Sequence, residues 1–341
     1  NWLALLLVTF AICARAQSPH DNSSNASAAS KGIDVVRAAR PPAIDGFLEE
    51  SAWSDAARIS DLTQYYPSDG GPPTERTEIF LLRDEQNLYV GIRFYDTEAA
   101  QIARSQMVQG QAVISDDHLQ IYLDPYNTGR SGYIFYVNAN GVQRDGLETA
   151  DGKFNMDWNG IWTAAAQVDE QGWTAEIAIP FKTLSFDPAN DTWGINFIRT
   201  IPRKGERLAW LHRDRRISMD TTGGMRGMRG AAQGVGLDVV PSLALTARKS
   251  PGTGAQQESK PSVDAFYRIT PALTASLTLN TDSSATDVDD RQVNLPRFSL
   301  FFPEKRAFFL EDATTFEFGG LAANGRPFFS RKIGLSANGQ P

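Results

Sequence analysis

The chain contains one cysteine and three histidines in 341 residues. A single cysteine excludes a disulfide framework and a cysteine-rich zinc site, and three histidines leave little for a histidine-based one. Positive charge is short as well: 33 basic side chains face 40 acidic ones, a net charge of −7. The chain as a whole therefore has no basic footprint for nucleic acid. The sequence carries no nucleophile elbow and no H-E-x-x-H motif, and 40 acidic residues contain too many pairs for one to stand out as glycosidase carboxylates. What is there is ordinary globular content, 41% apolar and 21% charged. The length exceeds one typical domain of about 100–200 residues, so two domains are expected.

One unbroken apolar run, residues 2–14, has the length of a signal-peptide hydrophobic region and is too short to span a bilayer. Ala14-Arg15-Ala16 supplies a small-x-small cleavage pattern, so residues 1–16 read as a signal peptide containing Cys13, and 17–32 as a polar linker. Export is expected. A chain that begins at Asn1 without a methionine or a basic leader reads as N-terminally truncated.

From Ile33 to Arg213 the sequence carries short strands and no long 3.6-periodic segment. Leu88, Val90, Ile92 and Phe94 alternate with Tyr89, Gly91, Arg93 and Tyr95, the period of a strand with one buried face. Residues 77–83 form a second run joined to it through Asp84-Glu85-Gln86-Asn87, which predicts a hairpin. The alternation recurs at Leu119/Ile121/Leu123, Tyr133/Phe135/Val137, Ala175/Ile177/Ile179 and Trp193/Ile195/Phe197, with turns at Asn140-Gly141 and Gln171-Gly172. Such spacing predicts an all-β, antiparallel sandwich. The one helical candidate is short, residues 48–57.

Residues 214–236 are rich in glycine and read as a linker or a tight crossing. Beyond them, residues 239–247 and 263–280 alternate small polar with apolar side chains, the dyad signature of outer-membrane barrel strands. A second soluble sheet is the alternative. The aromatic-dense stretch 295–330 is too charged for a lipid-facing strand and is expected to fold inside the barrel or cap it.

Several motifs in order resemble one family. Ile44-Asp45-Gly46 with Leu48, Glu49, Ala52, Trp53 and Ala56-Ala57 is similar to the opening of family 9 carbohydrate-binding modules. Asn87-Leu88-Tyr89-Val90 with Asp96, Ser115-Asp116-Asp117, Leu123-Asp124-Pro125, Gly172 to Phe181 and Trp193 to Arg199 continue the match across residues 33–213. Phe302 to Glu311 resembles a bacterial outer-membrane family of unassigned function in which this module precedes a long β-barrel. By that likeness residues 237–341 are the start of a C-terminally truncated barrel. The resemblance implies a module that binds a glycan or oligosaccharide at the bacterial outer membrane, facing the periplasm or the cell surface, in carbohydrate catabolism. The alternatives are a hydrolase acting on O-glycosyl compounds, or a module attached to one, and an interaction module without a sugar site.

A sugar needs an aromatic platform beside bidentate polar groups. The candidates are Trp158 as platform, flanked by Asp157 and Asn159, with Tyr126, Arg130, Asn138 and Arg144 as polar partners. Arg130 and Arg144 can each donate paired hydrogen bonds to vicinal hydroxyls or a sugar carboxylate. On one strand Trp158 and Trp162 would stand about 13 Å apart, too far to clamp one ring, so Trp162 is assigned to the core. Trp53, Trp173 and Trp193 are assigned there too. His118 reads as a hydrogen-bonded or surface residue. No cofactor is expected beyond the structural calcium that some family 9 modules carry, for which Asp84, Asp116, Asp117 and Asp124 are the candidates. These acids follow no EF-hand order, which favours turn-forming carboxylates.

Overall fold

The computed structural model describes residues 31–150, 152–156, 158–232, 237–248, 256–270 and 273–280. The expectations for the signal peptide, for Asp157 and for the Phe302 to Glu311 motif lie outside the described residues.

In chain order the first strands are β1 (Gly32–Asp34), β2 (Val36–Arg37), β3 (Ala57–Ile59), β4 (Thr63–Tyr66), β5 (Thr77–Arg83) and β6 (Asn87–Tyr95). They are followed by β7 (His118–Asp124), β8 (Gly132–Asn138), β9 (Gln143–Glu148), β10 (Phe154–Asn155), β11 (Thr163–Asp169) and β12 (Gly172–Pro180). The last are β13 (Thr192–Ile201), β14 (Glu206–Ala209), β15 (Gly223–Arg226), β16 (Leu237–Arg248), β17 (Gln256–Thr270) and β18 (Leu273–Leu279).

One sheet runs β1-β15-β13-β7-β8-β9-β10, with β14 bridging β13 to β4; the other runs β11-β12-β6-β5-β2, with β3 on β5. Apart from the parallel pairs β1–β15 and β2–β5, the pairings are antiparallel. The fold is an all-β antiparallel sandwich. Its core is one cluster fed by alternate residues of both sheets, with Leu119, Ile121 and Phe135 from the first and Leu88, Val90, Phe94 and Ile177 from the second. Trp173 lies fully buried and stacked on Phe94 with ring centroids 3.8 Å apart, and Trp193 and Trp162 are also in this core. Arg199 is buried here as well. Its guanidinium donates to Arg76 O at 3.0 Å and Tyr95 O at 2.8 Å and lies over the Phe94 ring.

Two expectations change. The helix over 48–57 shrinks to a single turn, α1 (Ser51–Ser54), because residues 44–50 instead form a strap across the outer face of the six-stranded sheet. The glycine-rich stretch is no free linker through Ala232: β15 adds to β13, and Met219, Met225 and Met228 are buried. Glycine serves close packing there, since a Cβ on Gly223 would stand 2.6 Å from the Trp210 ring.

β16, β17 and β18 form an antiparallel three-stranded sheet. Register puts Leu237, Val239, Leu243 and Leu245 on the same face as Val263, Ala265, Tyr267, Leu277 and Leu279. Leu243, Leu245 and Leu277 on that face are 62%, 75% and 57% exposed. The opposite face is mixed, with Ser242, Lys260, Ser262, Asp264 and Thr278 beside Val240 and Phe266, and Thr278 Oγ1 donates to Asp264. Among the described residues these strands do not close into a barrel.

Candidate functional site

The strands that bury Leu119, Ile121, Leu123 and Phe135 turn their alternate residues onto the outer face of the nine-stranded sheet. Register places Gln120 beside Tyr136 and Tyr136 beside Arg144, so one row across β7, β8 and β9 offers a carboxamide, a phenol and a guanidinium. The next row sets Tyr122 between Asn196 and Ile134. Tyr122, Ile134, Ile198, Ala209 and Met219 form a small apolar floor, on which Tyr65 of β4 and Tyr136 lie half-buried.

Burial raises the phenol pKa of Tyr65, Tyr122 and Tyr136, which keeps all three protonated as hydroxyl donors. Arg207 opposes the rise at Tyr65 and Arg144 opposes it at Tyr136. The Arg144 Nε is buried without a hydrogen-bond partner. His118, at the end of the face, is buried; its Nδ1–H donates to Asp116 O at 2.7 Å, and its Nε2 accepts from Gln120 at 3.0 Å. Burial lowers its pKa, so it is a neutral imidazole that orients Gln120. The arrangement joins aromatic surface to fixed donors and acceptors, the chemistry that holds a hydroxyl-rich ligand.

The residues expected to act together are split. Trp158 packs on Tyr133 and Phe135, ring centroids 5.0 and 6.1 Å away, at the margin of the sandwich core. Tyr133 and Phe135 alternate with Tyr136, so Trp158 and Arg144 stand on opposite faces of the β8–β9 hairpin. A single site combining the two is not what the fold builds. Asn159 and Tyr126 are exposed on loops. Asn138 is a turn builder: its Nδ2 donates to Gln106 O and Asp116, and its Oδ1 accepts from Asn140 N and Val142 N. Arg130 lines a cavity of about 420 Å³ at the end of the outer face, together with Glu148.

The four acids considered for calcium do not converge on one site: Asp84 and Asp124 hold separate turns, while the consecutive Asp116 and Asp117 both hold the 103–106 segment. Asp84 accepts from Gln86 N, Asn87 N and Tyr89 Oη within the β5–β6 hairpin. Asp116 accepts from Ser105 N, Gln106 N and Asn138. Asp124 accepts from Tyr126 N and Gly129 N. Asp117 accepts from Ala103 N, has its other oxygen buried without a hydrogen bond but 4.0 Å from the Arg203 guanidinium, and is pushed by burial up to about 6. The group of acids that does converge among the described residues is a different one, Asp45, Glu50 and Glu176.

Tyr122 and Tyr136 were missed by sequence reading. Their signal is the alternation in His118–Asp124 and Gly132–Asn138, which marks an outer face without saying what else folds beside it.

Comparison with known proteins follows the same division of the chain. Residues 44–211 match the carbohydrate family 9 binding domain-like family. The sandwich is similar to this family over most of its length. Residues 234–341 match a domain of unknown function (DUF5916). No curated protein matches the chain. The family 9-like sandwich is similar to a candidate carbohydrate-binding protein from Bacteroides uniformis, at 11% identity and TM-score 0.48, covering 58% of this chain and 99% of that one. It is also similar to a family 9 carbohydrate-binding module from Caldicellulosiruptor kristjanssonii, solved with glucose and with cellotriose. Both comparisons have 17% identity and TM-score 0.41, covering 57% of this chain and 95% and 93% of the module.

Proposed function

We propose that the family 9-like sandwich binds carbohydrate, without catalysis, on the outer face of its nine-stranded sheet. The observation that carries this reading is the row Gln120, Tyr136 and Arg144 beside Tyr65 and Tyr122, a half-open floor of aromatic rings and polar groups on a sandwich similar to a sugar-binding family. Rings offer flat apolar surface to the C–H face of a sugar, and the guanidinium and carboxamide bond its hydroxyls.

In the same proposal the protein acts at the bacterial outer membrane in carbohydrate catabolism, with β16–β18 as its first membrane strands. Their support is the two-faced register: an exposed apolar face backed by one that carries most of the polar residues, as lipid-facing and lumen-facing residues require. The apolar stretch from Leu237 to Leu245 spans about 26 Å at ~3.3 Å per residue, close to the ~25 Å apolar band of such barrels.

The test is a glycan array probed with the detergent-solubilised chain, followed by calorimetric titration of the best ligand against wild type and Arg144→Ala. Binding that falls at least tenfold in the variant is expected. Binding that is absent, or indifferent to Arg144, would sink the site.

A further inference from the structure

Past the tyrosine floor, the outer face ends in the cavity of about 420 Å³. Its floor is the buried Glu148, last residue of β9, whose Oε2 accepts the Met219 N–H at 3.2 Å. Met219 belongs to the apolar floor, so its bond to Glu148 joins cavity and floor. Arg130 lines the cavity from the β7–β8 loop, and Arg213 and Arg216 line it from the segment between β14 and β15.

Arg213 and Arg216 are held together by the backbone. Arg213 N donates to Arg216 O at 3.1 Å and Arg216 N to Arg213 O at 2.8 Å. The turn between them is Asp214-Arg215, at φ +49 and +59. Both turn residues are left-handed, the geometry of a two-residue type I′ hairpin turn, which Asp214 suits and Arg215 suits less well. Directly opposed residues project from one face, and like charges so placed destabilise the pair. Asp220 answers Arg213 at 2.9 Å. Arg216 and Arg130 have no ion-pair partner among the described residues. Two of the three guanidinium groups at the cavity, Arg130 and Arg216, are therefore free to pair with a ligand.

We infer that this cavity is a subsite for a carboxylate-bearing saccharide, a uronic acid residue, whose carboxylate is gripped by Arg130 and Arg216 while its hydroxyls reach Glu148 and Ser218. The inference rests on the carbohydrate reading above and names its substrate class. A planar guanidinium matches a carboxylate with two parallel hydrogen bonds. Asp214 and Asp220 at the same cavity disfavour more highly charged phosphate groups. Burial pushes Glu148 up to about 7, so below neutrality it offers a hydroxyl donor instead of a repelling charge.

The experiment titrates the detergent-solubilised full chain with trigalacturonate as free acid and as its methyl ester, and with a sulfated neutral trisaccharide. The free acid is expected to bind at least tenfold more tightly than the ester. Arg130→Ala and Arg216→Ala are expected to erase that preference without moving the melting temperature, which reports that the fold survives. Equal affinity for acid and ester overturns the subsite while leaving the carbohydrate reading intact. Preference for the sulfated sugar overturns it in favour of a sulfate ester. Failure of every glycan on the array defeats the carbohydrate reading and this inference together.

Discussion

The indole Nε1 of Trp53 donates to Glu176 Oε1 at 2.7 Å, across 123 residues of sequence. The other oxygen of Glu176 accepts the backbone N–H groups of Asp45 and Gly46 at 3.0 and 2.9 Å. One buried carboxyl on β12 thus pins the strap 44–54 by both ends. The opening motif and the Gly172 to Phe181 motif, separate in the sequence, are two halves of this one clasp.

Replacing Glu176 by alanine leaves three donors without their acceptor inside the protein. At about 1–3 kcal/mol per orphaned buried group, less what water recovers, a loss of roughly 3–5 kcal/mol is expected. Urea unfolding measures it; a loss below about 1 kcal/mol would show that the strap does not depend on the clasp.

The pH dependence of stability follows from the buried acids. Burial pushes Asp117 and Asp145 up to about 6, and Glu148 and Glu176 up to about 7. The folded state therefore holds protons that the unfolded chain releases above about pH 4, and their contribution is lost as pH rises through 6 and 7. Against the cost of burial, hydrogen bonds hold Asp84 and Asp116 below their usual range, a contribution lost in acid. The urea midpoint is expected to fall between pH 5 and pH 8, and to fall less in Glu176→Gln. A midpoint that climbs over that interval contradicts the assignment.

Arg199 has its guanidinium fully inside the sandwich, bonded to the backbone carbonyls of Arg76, just before β5, and of Tyr95 in β6, and close to the charges of Asp117, Asp96 and Glu75. Arg199→Ala strands those groups, and a loss of roughly 3–5 kcal/mol is expected. Arg199→Lys should also destabilise, since one ammonium cannot span the same fork of acceptors. Chemical denaturation of both variants checks this, and a lysine variant as stable as wild type would count against the fork.

The tryptophans separate framework from site. Trp173→Ala removes a fully buried ring stacked on Phe94 and is expected to cost about 3–5 kcal/mol. Trp158→Ala, from a half-buried position, should cost less and leave glycan affinity unchanged, because Trp158 faces away from Arg144. Loss of binding without loss of stability in Trp158→Ala would return the site to the other side of the hairpin.

Leu243→Arg or Leu277→Arg puts a charge on the apolar face of the three-stranded sheet. If that face meets lipid, each is expected to weaken insertion by about 2–4 kcal/mol near the bilayer centre, whereas Ser242→Arg on the opposite face should be tolerated. Folding into lipid vesicles, followed by protease protection, reads the difference. Equal behaviour of the three variants would argue for a soluble sheet.

The β5–β6 hairpin, the turns at Asn140-Gly141 and Gln171-Gly172, and the core role of Trp173 and Trp193 were all legible in the residues. Each depends on neighbours in the chain: side-chain alternation with period two, turn residues with the right backbone freedom, and large apolar side chains that must leave water. The two-faced register of β16 to β18 is written in the same local code. What only the tertiary structure decided is which outward residues meet. Whether Trp158 and Arg144 share a face depends on how β8 pairs with β9 and where the following loop crosses. That the glycine-rich stretch is a strand and a packing surface depends on Trp210 lying against Gly223. The gathering of Arg130, Arg213 and Arg216 around Glu148 joins two loops and the end of β9, which are separate in sequence. Period and turn chemistry are properties of adjacent residues, whereas a site is set by strand order, and strand order is fixed only when both sheets close on one core.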